Sequence, residues 1–130
     1  MRIISFKIGR NRQKKVIKLN ELKFTKVIYI SHPFGGDKKN LDEVENIIVK
    51  ARETYPNYLF ISPCHSFSFL YNKTDYEVGL SMCLYLLQCC DECWIYGDWQ
   101  NSRGCKTENE FCKEHGIKIR FMTENNNIGG

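Results

Sequence analysis

The segment Ser102–Glu108 carries groups that could perform chemistry on a sugar. Ser102, Arg103 and Gly104 offer a hydroxyl, a guanidinium and a glycine amide, which all suit phosphate or sugar oxygens. Glu108 follows in what we predict to be the first turn of a helix, where the helix dipole and nearby amides favour an ionised carboxylate. Such a carboxylate can attack an anomeric carbon. Glutamate in a first turn also stabilises helices without catalysis, so both interpretations stay open.

The loop at residues 31–36 could approach an anion with its backbone. It contains two adjacent glycines after an apolar run, and glycines let amides come close to a ligand. The helix predicted to follow would turn its positive end toward the same place. The loop lacks the lysine of a P-loop, so an ordinary tight turn is the alternative. Its candidate ligand contacts are Ser31, His32, Phe34, Gly35 and Gly36.

Asp75 is a second carboxylate that could work with Glu108. If the two strand-end loops converge, the pair could flank a bound sugar, and carboxylates about 5 Å apart are typical of retaining glycosyl transfer. Tyr29, at the end of a predicted strand, could hydrogen-bond to Glu108. Candidates for stacking on a base, each of which could equally be a packing residue, are Phe34, Phe67 and Trp99.

The sequence around these residues predicts a repeated strand–helix–strand pattern. Residues 27–30 form a continuous apolar run that is typical of a strand buried on both faces, and further strands are predicted at 58–62, 92–96 and 117–121. Helices are predicted from N-caps at Asn40 and Thr74, with a third from about Lys106 to a C-cap at Gly116. The helix over 74–90 is apolar most of the way round, which predicts burial against the sheet or another subunit. The pattern predicts an α/β fold, a parallel sheet with helices on both faces and loops that meet beyond the strand ends.

Three regions are predicted along the chain. Alternating apolar residues indicate an N-terminal β-hairpin extension over 1–24, the α/β domain occupies 25–123, and 124–130 form a flexible tail. Basic residues concentrate in the hairpin, where a solvated surface is the more common explanation, so we expect no nucleic-acid partner.

Composition indicates a soluble, cytoplasmic protein. The 130 residues are 42% hydrophobic and 26% charged, with a net charge of +4. No stretch approaches the about 20 apolar residues of a membrane helix, and no signal peptide is evident. The 7 cysteines are odd in number, which disfavours a disulfide scaffold. Cys90-x-x-Cys93 has no second pair at metal-ligand spacing, so we expect neither a metal nor a cofactor.

Four motifs together resemble a known family. They are Tyr29-Ile30-Ser31-His32-Pro33-Phe34-Gly35-Gly36, Ser62-Pro63-Cys64-His65, Leu87-x-x-Cys90-Asp91-Glu92-x-Trp94-Ile95-x-Gly97 and Ser102-Arg103-Gly104-x-x-x-Glu108. From Val27 to Phe121 the chain resembles the nucleoside 2-deoxyribosyltransferase superfamily, most of all its small members in phages and bacteria.

The resemblance implies a flavodoxin-like Rossmann fold and cleavage of the N-glycosidic bond of a deoxynucleoside or its 5′-monophosphate. Glu108 would be the nucleophile, Asp75 its acidic partner and Tyr29 its assistant. The segments that would hold the sugar or 5′-phosphate are Gly35-Gly36 and Ser102–Gly104, and His65 belongs to a matching motif. Members are usually homodimers or larger, with a neighbouring chain completing each pocket.

Two alternative functions remain open. In characterised transferases the glutamate follows the glycine by two residues, whereas here Glu108 follows Gly104 by four. The longer interval leads to a second hypothesis, a binding protein that keeps the pocket but does not catalyse a reaction. Such a protein would sequester a nucleotide-derived molecule, for example a cyclic ADP-ribose-like signal. The third hypothesis is an NAD glycohydrolase, because related nicotinamide-cleaving domains also use a helix-borne glutamate.

Overall fold

The structure, a computed structural model, describes the backbone of residues 3–8 and 13–18 and both backbone and side chains of residues 23–122. Two antiparallel strands come first, β1 (Ile3–Ile8) and β2 (Gln13–Lys18). The strands predicted for the N-terminal hairpin are therefore present. The connecting residues 9–12 and the predicted tail at 124–130 lie outside the described residues, and the domain boundaries stay a prediction.

Four further strands form an all-parallel sheet, as predicted. They are β3 (Lys26–Ser31), β4 (Tyr58–Ile61), β5 (Glu92–Tyr96) and β6 (Lys118–Met122), in the spatial order β4-β3-β5-β6. Counted from the first strand of this sheet the order is 2-1-3-4, which is the order of flavodoxin-like folds. The α/β, flavodoxin-like fold class is confirmed.

Alternate residues of the central strands face opposite sides of the sheet, and each side has its own core. Ile28, Ile30 and Trp94 lie in the cluster that includes Val44 of the first helix. The other cluster contains residues of β3, β5 and the last two helices, namely Tyr29, Leu87, Cys93, Ile95 and Cys112. Helices therefore cover both faces of the sheet, as the sequence predicted.

The first helix begins earlier than predicted. α1 spans Lys38–Thr54, and its N-cap is Asp37, whose carboxylate accepts a hydrogen bond from the Lys39 amide at 2.9 Å. The predicted N-cap at Asn40 was wrong, because this residue lies inside the helix. Its side-chain amide instead donates to the Phe34 carbonyl at 2.8 Å, which ties the preceding loop to the helix.

The segment between β4 and the next long helix is partly helical. A short helix, α2 (Pro63–Phe67), is followed by one 3₁₀ turn at Ser68–Leu70. α3 then spans Tyr76–Gln88, and Asp75, rather than the predicted Thr74, occupies the N-cap position. Within the described ranges no helix is long and apolar enough to cross a membrane.

The last helix also starts about one turn earlier than predicted. α4 spans Arg103–His115, because Ser102 caps it by accepting a hydrogen bond from the Cys105 amide at 3.2 Å. The predicted start near Lys106 was therefore wrong. The predicted end was correct, since Gly116 adopts the left-handed conformation with φ 69° that glycine tolerates best.

Candidate active site

The candidate site lies where the strand order reverses, between the carboxyl ends of β3 and β5. β3 presents Tyr29 and Ser31 to the face covered by α3 and α4. Glu108 reaches the same point from α4. Its carboxylate accepts hydrogen bonds from the Tyr29 hydroxyl at Oε2 and from Ser31 Oγ at Oε1, the latter at 2.7 Å. We call these three residues the carboxylate cluster.

Burial controls the protonation of Glu108. The residue is 6% exposed, and the loss of hydration raises the pKa of its carboxyl to about 7, although the hydrogen bonds from Tyr29 and Ser31 act to lower it. Our prediction that the helix dipole keeps this group ionised was wrong. Because α4 begins at Arg103, Glu108 lies in the second turn, whereas the dipole acts mainly in the first. At neutral pH the carboxyl is divided between its two protonation states.

The hydroxyl of Tyr29 stays protonated. Burial, and then the charge of Glu108, raise the pKa of this phenol well above its usual value. Tyr29 therefore serves as a hydrogen-bond donor and not as a base.

A cavity of about 350 Å³ opens beside the carboxylate cluster. This volume falls in the range of small-molecule sites. The predicted site residues that line it are His32, Phe34, Gly35, Asp75, Gly104 and Glu108, and Phe67 lines it too. The structure thus brings together one part of each predicted loop.

Asp75 and Glu108 line the same cavity but differ in environment. Asp75 is exposed at the start of α3, and its carboxylate makes no capping hydrogen bond. Glu108 is buried. The two carboxyl groups at this cavity therefore differ in hydration.

The first loop is locked in place by its own side chains. The ring nitrogens of His32 lie 2.7 Å from the Pro33 carbonyl oxygen and 2.9 Å from Glu43 Oε2. Gly36 has φ 79°, and a Cβ built there would lie 2.7 Å from the ring of Tyr71. Gly36 is therefore required by its backbone and by the covering ring, and it is not part of the cavity lining.

Arg103 does not reach the cavity lining. Its guanidinium forms an ion pair with Glu77 and lies 4.6 Å from the centre of the Tyr76 ring. Ser102 is used as the cap of α4, so of the predicted triplet only Gly104 faces the cavity.

Ser31 is fully buried within the carboxylate cluster, so this predicted contact and two others also lie outside the lining. Trp99 packs against Phe121, with ring centroids 5.1 Å apart, because it belongs to a 3₁₀ turn at Trp99–Asn101 that folds back on the sheet edge. His65 lies 2.7 Å from Ser62 Oγ and 2.9 Å from Glu45 Oε2. In this chain both residues have structural partners.

Sequence reasoning missed two tyrosines and three cysteines of the cavity lining. Tyr71 and Tyr76 line it, and so do three thiols, those of Cys64, Cys83 and Cys105. Burial raises the pKa of these thiols to about 12, about 11 and about 11, so they are neutral lining groups. The helical spacing of residues 76, 79, 80 and 83 was the available signal.

Within residues 23–122 no group of three or more His, Cys, Asp or Glu side chains is placed to hold a metal ion.

Comparison with known proteins yields one match. Residues 26–122 match the model of a family described as a domain of unknown function, DUF7768. No curated protein and no solved structure matches the chain.

Proposed function

The chain belongs to the DUF7768 family, a domain of unknown function, and we propose that it cleaves the N-glycosidic bond of a 2′-deoxynucleoside or its 5′-monophosphate. It would act as an N-glycosidase or as a base-exchanging transferase. The observation that carries this proposal is the contact of one buried carboxylate, Glu108, with two hydroxyl donors at the wall of a cavity of nucleoside size.

The proposed reaction has two steps. In the first, an oxygen of the ionised Glu108 carboxylate bonds to C1′ of the sugar while the bond from C1′ to the base breaks, and the departing electron pair on the base takes a proton from water. In the second, water or another base attacks C1′, the ester bond to Glu108 breaks, and Asp75 or solvent accepts the proton released. Tyr29 and Ser31 hold the nucleophile in one orientation throughout.

The walls of the cavity suit a flat, apolar base. Phe34 and Tyr71 pack edge to face with ring centroids 5.2 Å apart, and Phe67 lines the same space. Aromatic rings give a base a stacking surface that does not depend strongly on its identity. We therefore propose that this wall binds the base while the carboxylate cluster faces the sugar.

The test is release of free base. The purified protein is incubated with each deoxynucleoside, each 5′-monophosphate and NAD, and the products are separated by liquid chromatography. We expect release by wild type and none by Glu108→Gln. The matched control is Glu110→Gln, an exposed residue of the same helix, which should keep full activity. Equal results for wild type and Glu108→Gln with every substrate would rule out the proposed reaction.

A non-catalytic binding protein is the second candidate. The raised pKa of Glu108 favours it, because a neutral carboxyl recognises a ligand by hydrogen bonds but does not attack a sugar carbon. Native mass spectrometry of the purified protein would detect an intact nucleotide-derived ligand. Retention of such a ligand, together with a stabilising thermal shift and no product, would favour binding over catalysis.

We also propose that the protein is a homodimer or larger assembly that acts in the cytoplasm. α3 and the segment before it expose large apolar side chains, with Phe69 at 67% and Tyr85 at 70% exposure. Large exposed apolar side chains are common at interaction surfaces, which is the observation that supports the oligomer. Light scattering should show an oligomer for wild type and a monomer for Tyr85→Glu. The control is Val49→Glu on α1, which is also an exposed apolar position and should leave the oligomer intact.

All seven cysteines, which lie in the described part of the chain, are free thiols. Free thiols in this number are typical of a reducing compartment, which is the observation that supports the cytoplasmic location.

A further inference from the structure

The charge of the cavity selects among the substrates proposed above. Apart from its thiols and phenols, its ionisable lining residues are the carboxyl-bearing Glu108 and Asp75 together with His32, and no lysine or arginine lines it in the described part of the chain. Lys73 lies between two lining residues in sequence but is not itself in the lining. A phosphate group entering this space would meet negative charge without a cation to neutralise it.

The groups predicted to bind an anion at residues 31–36 and at the start of α1 already have partners within the protein. The N-terminus of α1 receives the carboxylate of Asp37, which accepts from the Lys39 amide at 2.9 Å. The ring of Tyr71 covers Gly36. The ring nitrogens of His32 are taken by the Pro33 carbonyl and by Glu43, so this side chain has no free donor for a phosphate oxygen.

The groups predicted to bind phosphate at residues 102–104 also have partners within the protein. Ser102 Oγ accepts the Cys105 amide at 3.2 Å. Arg103 forms an ion pair with Glu77, in which both side chains are largely exposed, and its guanidinium lies 4.6 Å from the centre of the Tyr76 ring. A Cβ at Gly104 would lie 3.4 Å from the Tyr76 hydroxyl, so the tyrosine already fills the space at the start of α4.

From these contacts we infer that the site takes an uncharged nucleoside and excludes the 5′-monophosphate, and that the ion pair between Glu77 and Arg103 withholds the cation a phosphate would need. The inference rests on the proposed function and narrows its substrate class. Arg103 instead contacts the start of α3, through its ion pair with Glu77 and through the ring of Tyr76.

The test is calorimetric binding to a Glu108→Gln protein, which cannot turn the ligand over. The probes are thymidine, 2′-deoxyadenosine, 2′-deoxycytidine and 2′-deoxyguanosine, each with its 5′-monophosphate. The variant makes the test stricter, because the negative charge of Glu108 is gone. At least one nucleoside should bind about tenfold or more tightly than its monophosphate, as expected when a charge meets no partner.

A second substitution, made in the Glu108→Gln protein, tests whether the ion pair with Glu77 keeps Arg103 from binding a phosphate. Glu77→Gln frees Arg103, and a charge-assisted hydrogen bond to phosphate should then raise monophosphate affinity about tenfold while nucleoside affinity stays unchanged. Glu77 is exposed, so the variant should fold, which circular dichroism verifies. Glu110→Gln is the matched control and should change neither affinity. A Glu77→Gln protein with no gain for monophosphates would overturn the role given to Arg103.

The remaining outcomes separate this inference from the proposed function. Monophosphates that bind as tightly as nucleosides, or base release by wild type from monophosphates alone, would overturn the inference and keep the glycosidase. If neither class binds and wild type releases no base, both fall together.

Discussion

Replacing Glu108 by glutamine should stabilise the protein, and should do so only at neutral and alkaline pH. Glutamine has nearly the same shape as glutamate and can keep hydrogen bonds to Tyr29 and Ser31, but it carries no charge. The substitution therefore isolates the cost of holding an ionised carboxylate in a buried site.

The size and sign of this effect follow from the pKa of Glu108. The value is 4.5 for an ordinary glutamate and about 7 in the folded protein, because burial disfavours the charged form. Between these pH values the folded state binds more protons than the unfolded chain, so the free energy of unfolding falls as pH rises. The full loss for wild type, reached above pH 7, is about 3 kcal/mol.

The assay is urea denaturation of wild type and Glu108→Gln across this pH range. The difference between the two free energies of unfolding should stay below about 1 kcal/mol near pH ~5 and grow to about 3 kcal/mol near pH ~8.5 in favour of the variant. Glu110→Gln, on the exposed side of the same helix, supplies the control and should show no growing difference. A difference that is constant with pH would mean that the carboxylate ionises without cost, which would refute the argument from burial.

Three further substitutions test other parts of the structure. Tyr29→Phe removes one donor to Glu108, so the pKa of that carboxyl should rise further. Because Glu108 must be ionised to attack, the acidic limb of a pH–rate profile should move to higher pH, and an unchanged profile would contradict the hydrogen bond. Gly36→Ala should lower the free energy of unfolding by about 2 kcal/mol or more, because φ is positive and an aromatic ring blocks the Cβ. Gly35→Ala, where φ is also positive but the space is open, should lower it by about 1 kcal/mol. Equal losses in urea titrations would count against the ring contact. Leu87→Ala in the core beneath α3 should cost about 2 to 5 kcal/mol by the same measurement, and a loss below about 1 kcal/mol would show that this residue is not buried.

The fold was predictable because its strands carry strong local patterns. The apolar run at 27–30 is buried as β3, with Ile28 and Ile30 at 0% exposure, since a strand covered on both faces has no polar positions. Helix starts were less predictable. Asp37, Asn40 and Ser102 are all good capping residues, and the choice among such residues depends on the path of the loop before the helix, which sequence alone does not reveal.

The candidate site was only partly predictable. The contact between Tyr29 and Glu108 and the shared cavity of Glu108 and Asp75 agree with the predicted arrangement. Trp99 and His65 instead have partners outside the cavity, because residues close in sequence to a site can point away from it. Tyr76 lines the cavity without having been predicted, since its position follows from how α3 meets α4.

Residue types and their periodicity were enough to predict the parallel sheet and the order of its strands and helices along the chain. They also predicted that a site would lie at the carboxyl ends of the strands. These features depend on patterns within single strands and helices. The tertiary structure alone decided the chemical state of that site. Glu108 loses its hydration, and Arg103 is paired with Glu77, through contacts with residues distant in the sequence. Hydration and ion pairing depend on distances in space, and those distances exist only once the chain has folded.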